Sequence, residues 1–194
     1  MKKMLLAIFL SAVILLGTCF ALRSVGEKRA QESHLWLLNT LLPDAGEFVL
    51  EPYTGEDGTI RSVHKGENGF VIETVTQGYV AEITMFIAVD LDGKVVGLVV
   101  DEAHETLGLG SKALTDHRFL AQFFNHSGSF AVATAGEDAF SGATGTSETA
   151  GDTLDVDAIT GATVTSKAVV RCINSAIAYV TGADAASSAT TWGG

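Results

Sequence analysis

Gly78-Tyr79-Val80-Ala81-Glu82-Ile83-Thr84-Met85-Phe86-Ile87-Ala88-Val89 runs into the turn Asp90-Leu91-Asp92-Gly93 and leaves it as Lys94-Val95-Val96-Gly97-Leu98-Val99-Val100. Both runs are rich in β-branched and aromatic residues, and a short connection containing Asp-Gly joins them. That pattern predicts an antiparallel hairpin. Upstream, Gly69 to Val75 reads as a further strand and Phe48 to Leu50 as a short one. Before these, Leu35, Leu38 and Leu42 recur at three and four residues, which predicts a helix over Lys28 to Leu42 that Pro43 stops.

Downstream of the hairpin, His104 to Lys112 is a Gly-rich loop and His117 to Phe124 a short helix. Gly128 to Asp152 is so rich in Gly, Ala, Ser and Thr that a mobile excursion is expected. Leu154 to Ile159 reads as a last strand. Thr165 to Val180 reads as a helix with Val170, Ile173, Ile177 and Val180 on its apolar face. Residues 182–194 are small and patternless, and disorder is expected there. The expected fold is α+β: one N-terminal transmembrane helix, then a domain over residues 24–181 with an antiparallel sheet and packed helices.

Met4 to Leu22 is a run of 19 residues without charge. As a helix it spans about 28 Å, close to the thickness of a hydrocarbon core. A retained anchor is expected, with residues 1–3 as a short cytoplasmic tail and the domain outside the cytoplasm. Two cleaved alternatives stand beside it. Cys19-Phe20-Ala21 is a loose small-x-small signal-peptide site, and Leu16-Gly17-Thr18-Cys19 resembles a lipobox. The positive-inside balance is nearly even, because Arg23, Lys28 and Arg29 follow the run as Lys2 and Lys3 precede it.

The formal net charge is −11, and setting aside Lys2 and Lys3 leaves 10 basic against 23 acidic residues. A surface this acidic repels a phosphate backbone, so nucleic acid is not an expected partner. Cys19 and Cys172 give no disulfide framework and no haem or iron–sulfur spacing, and the five histidines are scattered. No metal site is expected.

The segment with chemical content is Asp157-Ala158-Ile159-Thr160-Gly161-Ala162-Thr163, followed by Val164-Thr165-Ser166-Lys167. Gly161 and Ala162 let a bulky ligand approach the backbone. The hydroxyls of Thr160, Thr163, Thr165 and Ser166 gather where a helix begins, and a helix N-terminus offers free N–H groups to a phosphate. Lys167 adds positive charge. The plainer alternative is helix capping, a common use of Ser and Thr.

This segment resembles the flavinylation motif of FMN-binding domains, Asp-x-x-Ser/Thr-Gly-Ala-Thr. In that family a separate Mg²⁺-dependent flavin transferase uses FAD to join FMN to the last Thr through a phosphoester. The resemblance implies covalent FMN on Thr163, with Asp157, Thr160, Gly161 and Ala162 as recognition residues and the transferase as a partner in maturation. Asp138-Ala139-Phe140-Ser141-Gly142-Ala143-Thr144 matches the short pattern too, but Gly145 to Gly151 offers no helix to receive a phosphate. Thr163 is therefore the expected site.

Gly78-Tyr79, Asp92-Gly93-Lys94 and Glu105-Thr106-Leu107-Gly108-Leu109-Gly110 occur in the order seen in G subunits of Rnf-type complexes, with Leu107 where a proline is usual. That resemblance implies a flavin ring near Glu105, Thr106, Leu107 and Gly108. A carboxylate there opposes the negative charge of a reduced ring, so Glu105 is expected to orient the loop by bonding to backbone donors. The resemblance also implies a membrane-bound electron carrier in an Na⁺- or H⁺-translocating ferredoxin:NAD⁺ oxidoreductase, partnered by the other subunits. The C subunit of an Na⁺-pumping NADH:quinone reductase, another exported FMN-binding carrier, and a binding module without redox chemistry are the alternatives.

Overall fold

The computed structural model describes residues 23, 26–105, 110–133 and 153–182. Among them no helix is long and apolar enough to cross a membrane. The expected tail and anchor, residues 1–22, lie outside the described residues, as do residues 183–194 of the expected disordered tail. The chain divides into two compact units, residues 1–40 and 41–194. The first is built on helix α1, residues 26–41. Near its end the side chains of Asn39 and Thr40 bond back to the carbonyls of Leu35 and Trp36, both at 2.8 Å.

The second unit holds a five-stranded antiparallel sheet in sequence order: β1 (Val49–Glu51), β2 (Ile60–Lys65), β3 (Gly69–Gln77), β4 (Glu82–Asp90) and β5 (Val95–Ala103). The hairpin expected from the sequence is β4–β5. Asp90 closes its loop: its carboxylate accepts the N–H groups of Asp92 and Lys94, and its carbonyl accepts that of Gly93. Gly93 sits at φ 81, a conformation that costs glycine nothing. β4 starts at Glu82 rather than Gly78, because Gly78 to Ala81 form the tight connection from β3, closed by Gly78 N–H to the Ala81 carbonyl at 2.8 Å.

β2 is absent from the sequence reading for a physical reason. A bulge between Ile60 and Ser62 inserts a residue, so the buried Ile60 and Val63 stand three apart and strand alternation is broken.

After the sheet come α2 (Gly110–Thr115), α3 (His117–Ala121), β6 (Ser129–Ala133), β7 (Thr153–Asp157) and α4 (Thr163–Thr181). Two expectations are corrected here. The loop expected over His104 to Lys112 gives way to helix at Gly110. The excursion expected from Gly128 begins as a strand, and β6 pairs with β7 in parallel, so the fold adds a parallel pair to its antiparallel sheet. Small residues hid β6: of its five, only Phe130 is fully buried. What fixes β6 is a side chain 44 residues away. The Asn174 amide donates to the Phe130 carbonyl at 2.9 Å and accepts its N–H at 2.8 Å.

α4 packs against β3, β4 and β6, and from Ala168 to Ile177 only Arg171 is exposed. Ile173, Val169 and Ala176 meet Ile72, Ile87 and Phe130 in one core. Gly182, left-handed at φ 69, ends the helix.

Candidate functional site

β7 delivers the chain to the site. Asp157 is its last residue, and the Gln122 amide holds it there: Oε1 accepts the Asp157 N–H at 2.8 Å, and Nε2 donates to the Asp157 carbonyl at 3.4 Å. The Asp157 side chain is exposed. The chain then reverses through Ile159-Thr160-Gly161-Ala162, closed by Ala162 N–H to the Ile159 carbonyl at 2.9 Å, with Gly161 at φ 79. A positive φ at the third position is the type II requirement, which glycine meets. Ser166 clips this turn to the helix. Its hydroxyl donates to the Ala162 carbonyl at 2.9 Å and accepts the Ile159 N–H at 3.3 Å.

Ala162 is the N-cap of α4, and among the described residues no side chain caps the helix. The first-turn N–H groups are thus left to solvent or to a ligand. Thr163, the first helical residue, is half-buried, and its hydroxyl makes no hydrogen bond among the described residues. The four hydroxyls that the sequence gathers at this end divide in two. Those of Thr165 and Ser166 point inward, 1% and 0% exposed, and are spent on the protein. Thr160 is exposed and Thr163 half-exposed, with exposed Lys167 one helical turn beyond.

Glu105 lies behind Thr165. Its Oε2 accepts the Thr165 hydroxyl at 2.8 Å, and its Oε1 accepts the N–H groups of Val80 at 3.0 Å and Ala81 at 3.4 Å. One carboxylate therefore links the β3–β4 connection to the first turn of α4. Gly78 and Gly110 make room for it. A side chain at Gly78 would meet Glu105 Oε1, and one at Gly110 would meet Glu105 Oε2, with Thr165 Oγ1 at 2.9 Å. The space beside Gly110 is thus taken by the Glu105 carboxylate. Thr106, Leu107 and Gly108 lie outside the described residues, as does the second motif ending at Thr144.

A cleft of about 580 Å³ opens beside the first turns of α4. Val164 and Arg171 form one wall, Thr76, Gln77 and Glu82 the other, and Thr59 lies between. Asp57 stands behind it. Burial alone would raise its pKa, but hydrogen bonds from Ser175 and Thr59 and the charge of Arg171 outweigh that, and the carboxyl is held below its usual range.

Sequence reasoning missed Arg171, Gln122 and the Glu105–Thr165 pair. Arg171 was findable, being seven residues from Val164 on a helix. The pair, 60 residues apart, left no local signal.

A model of the FMN-binding domain family matches residues 78–178. The chain is 26% identical over 182 residues to the G subunit of the proton-translocating ferredoxin:NAD(+) oxidoreductase complex of Clostridium ljungdahlii, covering 93% of this chain and 89% of that one. It is 30% identical over 140 residues to the G subunit of the Na(+)-translocating ferredoxin:NAD(+) oxidoreductase complex of Acetobacterium woodii. That match covers 68% of this chain and 55% of the relative, so the chain spans about half its length. The solved structure of the C subunit of the Na(+)-translocating NADH-quinone reductase from Parabacteroides distasonis aligns with a TM-score of 0.40 at 24% identity, over 62% of this chain and 60% of that one. So partial a likeness carries no weight.

Proposed function

The chain belongs to the FMN-binding domain family, and from that premise we propose that it carries FMN on the Thr163 hydroxyl as an electron-transfer subunit. The complex it serves is a membrane-bound, ion-translocating ferredoxin:NAD⁺ oxidoreductase, in keeping with its similarity to G subunits of such complexes. The domain stands on the extracytoplasmic side, held by residues 4–22, and its partners are the other subunits. Cys19 and Cys172 cannot ligate an iron–sulfur cluster between them, so this chain contributes a flavin alone.

The observation that carries the reading is the hydroxyl of Thr163, unbonded among the described residues, at the start of a 19-residue helix, within the matched region. The residues fit the group. The first-turn N–H groups of α4 and the Lys167 ammonium oppose phosphate charge. Gly161 carries no side chain to shield Thr163, and the cleft begins at the adjoining Val164. Bound FMN supplies the ring that accepts and returns electrons. In attachment, the pyrophosphate bond of FAD breaks, the FMN phosphoryl group passes to Thr163 Oγ1, AMP leaves, and the hydroxyl proton is released. A flavin transferase performs that step, reading the exposed Asp157 and Thr160 together with the Gly161-Ala162 turn.

Flavin should stay with the chain through acid precipitation, and a single flavin-bearing peptide should contain Thr163. Thr163→Ala should abolish attachment, and Thr144→Ala should leave it intact. Flavin released freely on unfolding, or found on a peptide with Thr144 and without Thr163, would overturn the assignment.

A further inference from the structure

We infer that Arg171 is the charge partner of the flavin ring: from the wall of the cleft beside α4 its guanidinium faces the pyrimidine edge of the ring and stabilises the negative charge gained on reduction. This rests on FMN being joined to Thr163.

Three observations place it there. The cleft starts at Val164, one residue from the attachment point, and extends to Arg171 along the same helix. Eight residues separate Thr163 from Arg171, a rise of about 12 Å. The extended ribityl phosphate of FMN covers most of that distance, so a ring tethered at Thr163 and laid along α4 brings its N1 and C2 carbonyl edge, which adjoins the ribityl nitrogen, to Arg171. Second, Arg171 is the one exposed residue in the run from Ala168 to Ile177, and it interrupts an otherwise buried stretch at the cleft. Third, among the described residues it forms no ion pair within 4.0 Å, and the carboxylate that feels its charge, Asp57, is already bonded to Thr59 N–H at 2.9 Å. Its planar N–H groups remain available to a ligand.

The chemistry favours an arginine at this point. Electrons entering the ring leave negative charge over the N1 and C2 carbonyl edge, and a guanidinium offers paired donors in one plane to such an edge. A positive group set where charge develops stabilises the reduced form over the oxidised one. Glu82, on the far wall, acts in the opposite sense.

The test is the midpoint potential of the full chain, flavinylated by co-expression with a flavin transferase. Arg171→Gln should lower it, and Arg171→Lys, which keeps the charge without the planar donors, should recover part of the shift. Gln77→Glu sets a negative charge on the opposite wall and should also lower it, so the outcome does not hang on how Arg171→Gln folds. A merely structural arginine would give no graded return with lysine. If flavin is attached and neither Arg171→Gln nor Gln77→Glu moves the potential, the ring does not lie in this cleft and the inference fails. If the wild-type chain takes up no flavin, it is the attachment to Thr163 that has failed instead.

Discussion

The antiparallel sheet and the segment that starts α4 are held by different forces. In β4 every residue from Ile83 to Val89 is buried, and the strand is paired on both sides, to β3 and β5. No single contact there is indispensable, because apolar burial and the backbone ladder distribute the stabilisation. The segment from Asp157 to Ser166 has one buried apolar side chain, Ala162. Its position is set by a few polar groups acting one at a time: Gln122 on Asp157, Ser166 on the turn, and Glu105 on Thr165. The frame is redundant and the site is not. Substitutions in the sheet should therefore cost stability and spare the geometry of the site, and substitutions in the polar braces should do the reverse.

The largest effect belongs to the frame. Ile87 is fully buried in the core that α4 shares with the sheet. Ile87→Ala should destabilise the chain by about 2–5 kcal/mol, measured by urea unfolding. Under conditions where the variant is folded, flavin attachment should run at the wild-type rate. A slower rate in fully folded protein would mean that site geometry depends on sheet packing, and the division between frame and site would be lost.

Glu105 gives the sharper half of the contrast. Glu105→Ala leaves the buried Thr165 hydroxyl and the Val80 N–H without their acceptor, at a cost of about 1–3 kcal/mol. Its effect on the site should exceed what that stability loss predicts, with flavin attachment slowed about tenfold, equivalent to about 1.4 kcal/mol of barrier. Glu105→Gln retains an acceptor for Val80 and a donor for Thr165, and should restore most of the rate. If Glu105→Ala and Ile87→Ala slow attachment equally once folded, Glu105 is an ordinary part of the frame.

The same division governs what could be read from the sequence. β3 and the β4–β5 hairpin announce themselves through runs of β-branched and aromatic residues, α4 through the period that burial imposes on one helical face, and the Asp90–Gly93 turn because a positive φ demands glycine. β2 and β6 do not. A bulge breaks the period in β2, and β6 is held through Asn174, a residue distant in sequence. At the site, the Thr160-Gly161-Ala162-Thr163 motif is local and visible. Which hydroxyls face outward is not, because Thr165 and Ser166 turn inward only in answer to Glu105 and the Ala162 carbonyl.

The smallest effect is an alkaline one, and it too belongs to the frame. Burial pushes the Cys172 thiol, on the inner face of α4, up to about 11 from its ordinary 9.0. Burial, and then the neighbouring Glu51 carboxylate, raise Tyr179 as well. For an acid whose folded pKa is raised, the unfolded chain ionises first. The contribution is thus fully present below the unfolded pKa and is lost as pH climbs through the folded one. For Cys172 the window runs from pH 9.0 to about 11, and the loss reaches about 1 kcal/mol at pH 10. Cys172→Ala should flatten the slope of unfolding free energy against pH between 9 and 10. A smaller slope from Tyr179 should remain, and it should set in nearer pH 10, the ordinary value for a tyrosine. The slope, not the absolute stability, is the measure, because the smaller side chain also changes packing. If Cys172→Ala keeps the wild-type slope, the thiol does not sit in the dry interface between α4 and the sheet, and the packing assigned to the most buried part of the frame is in error.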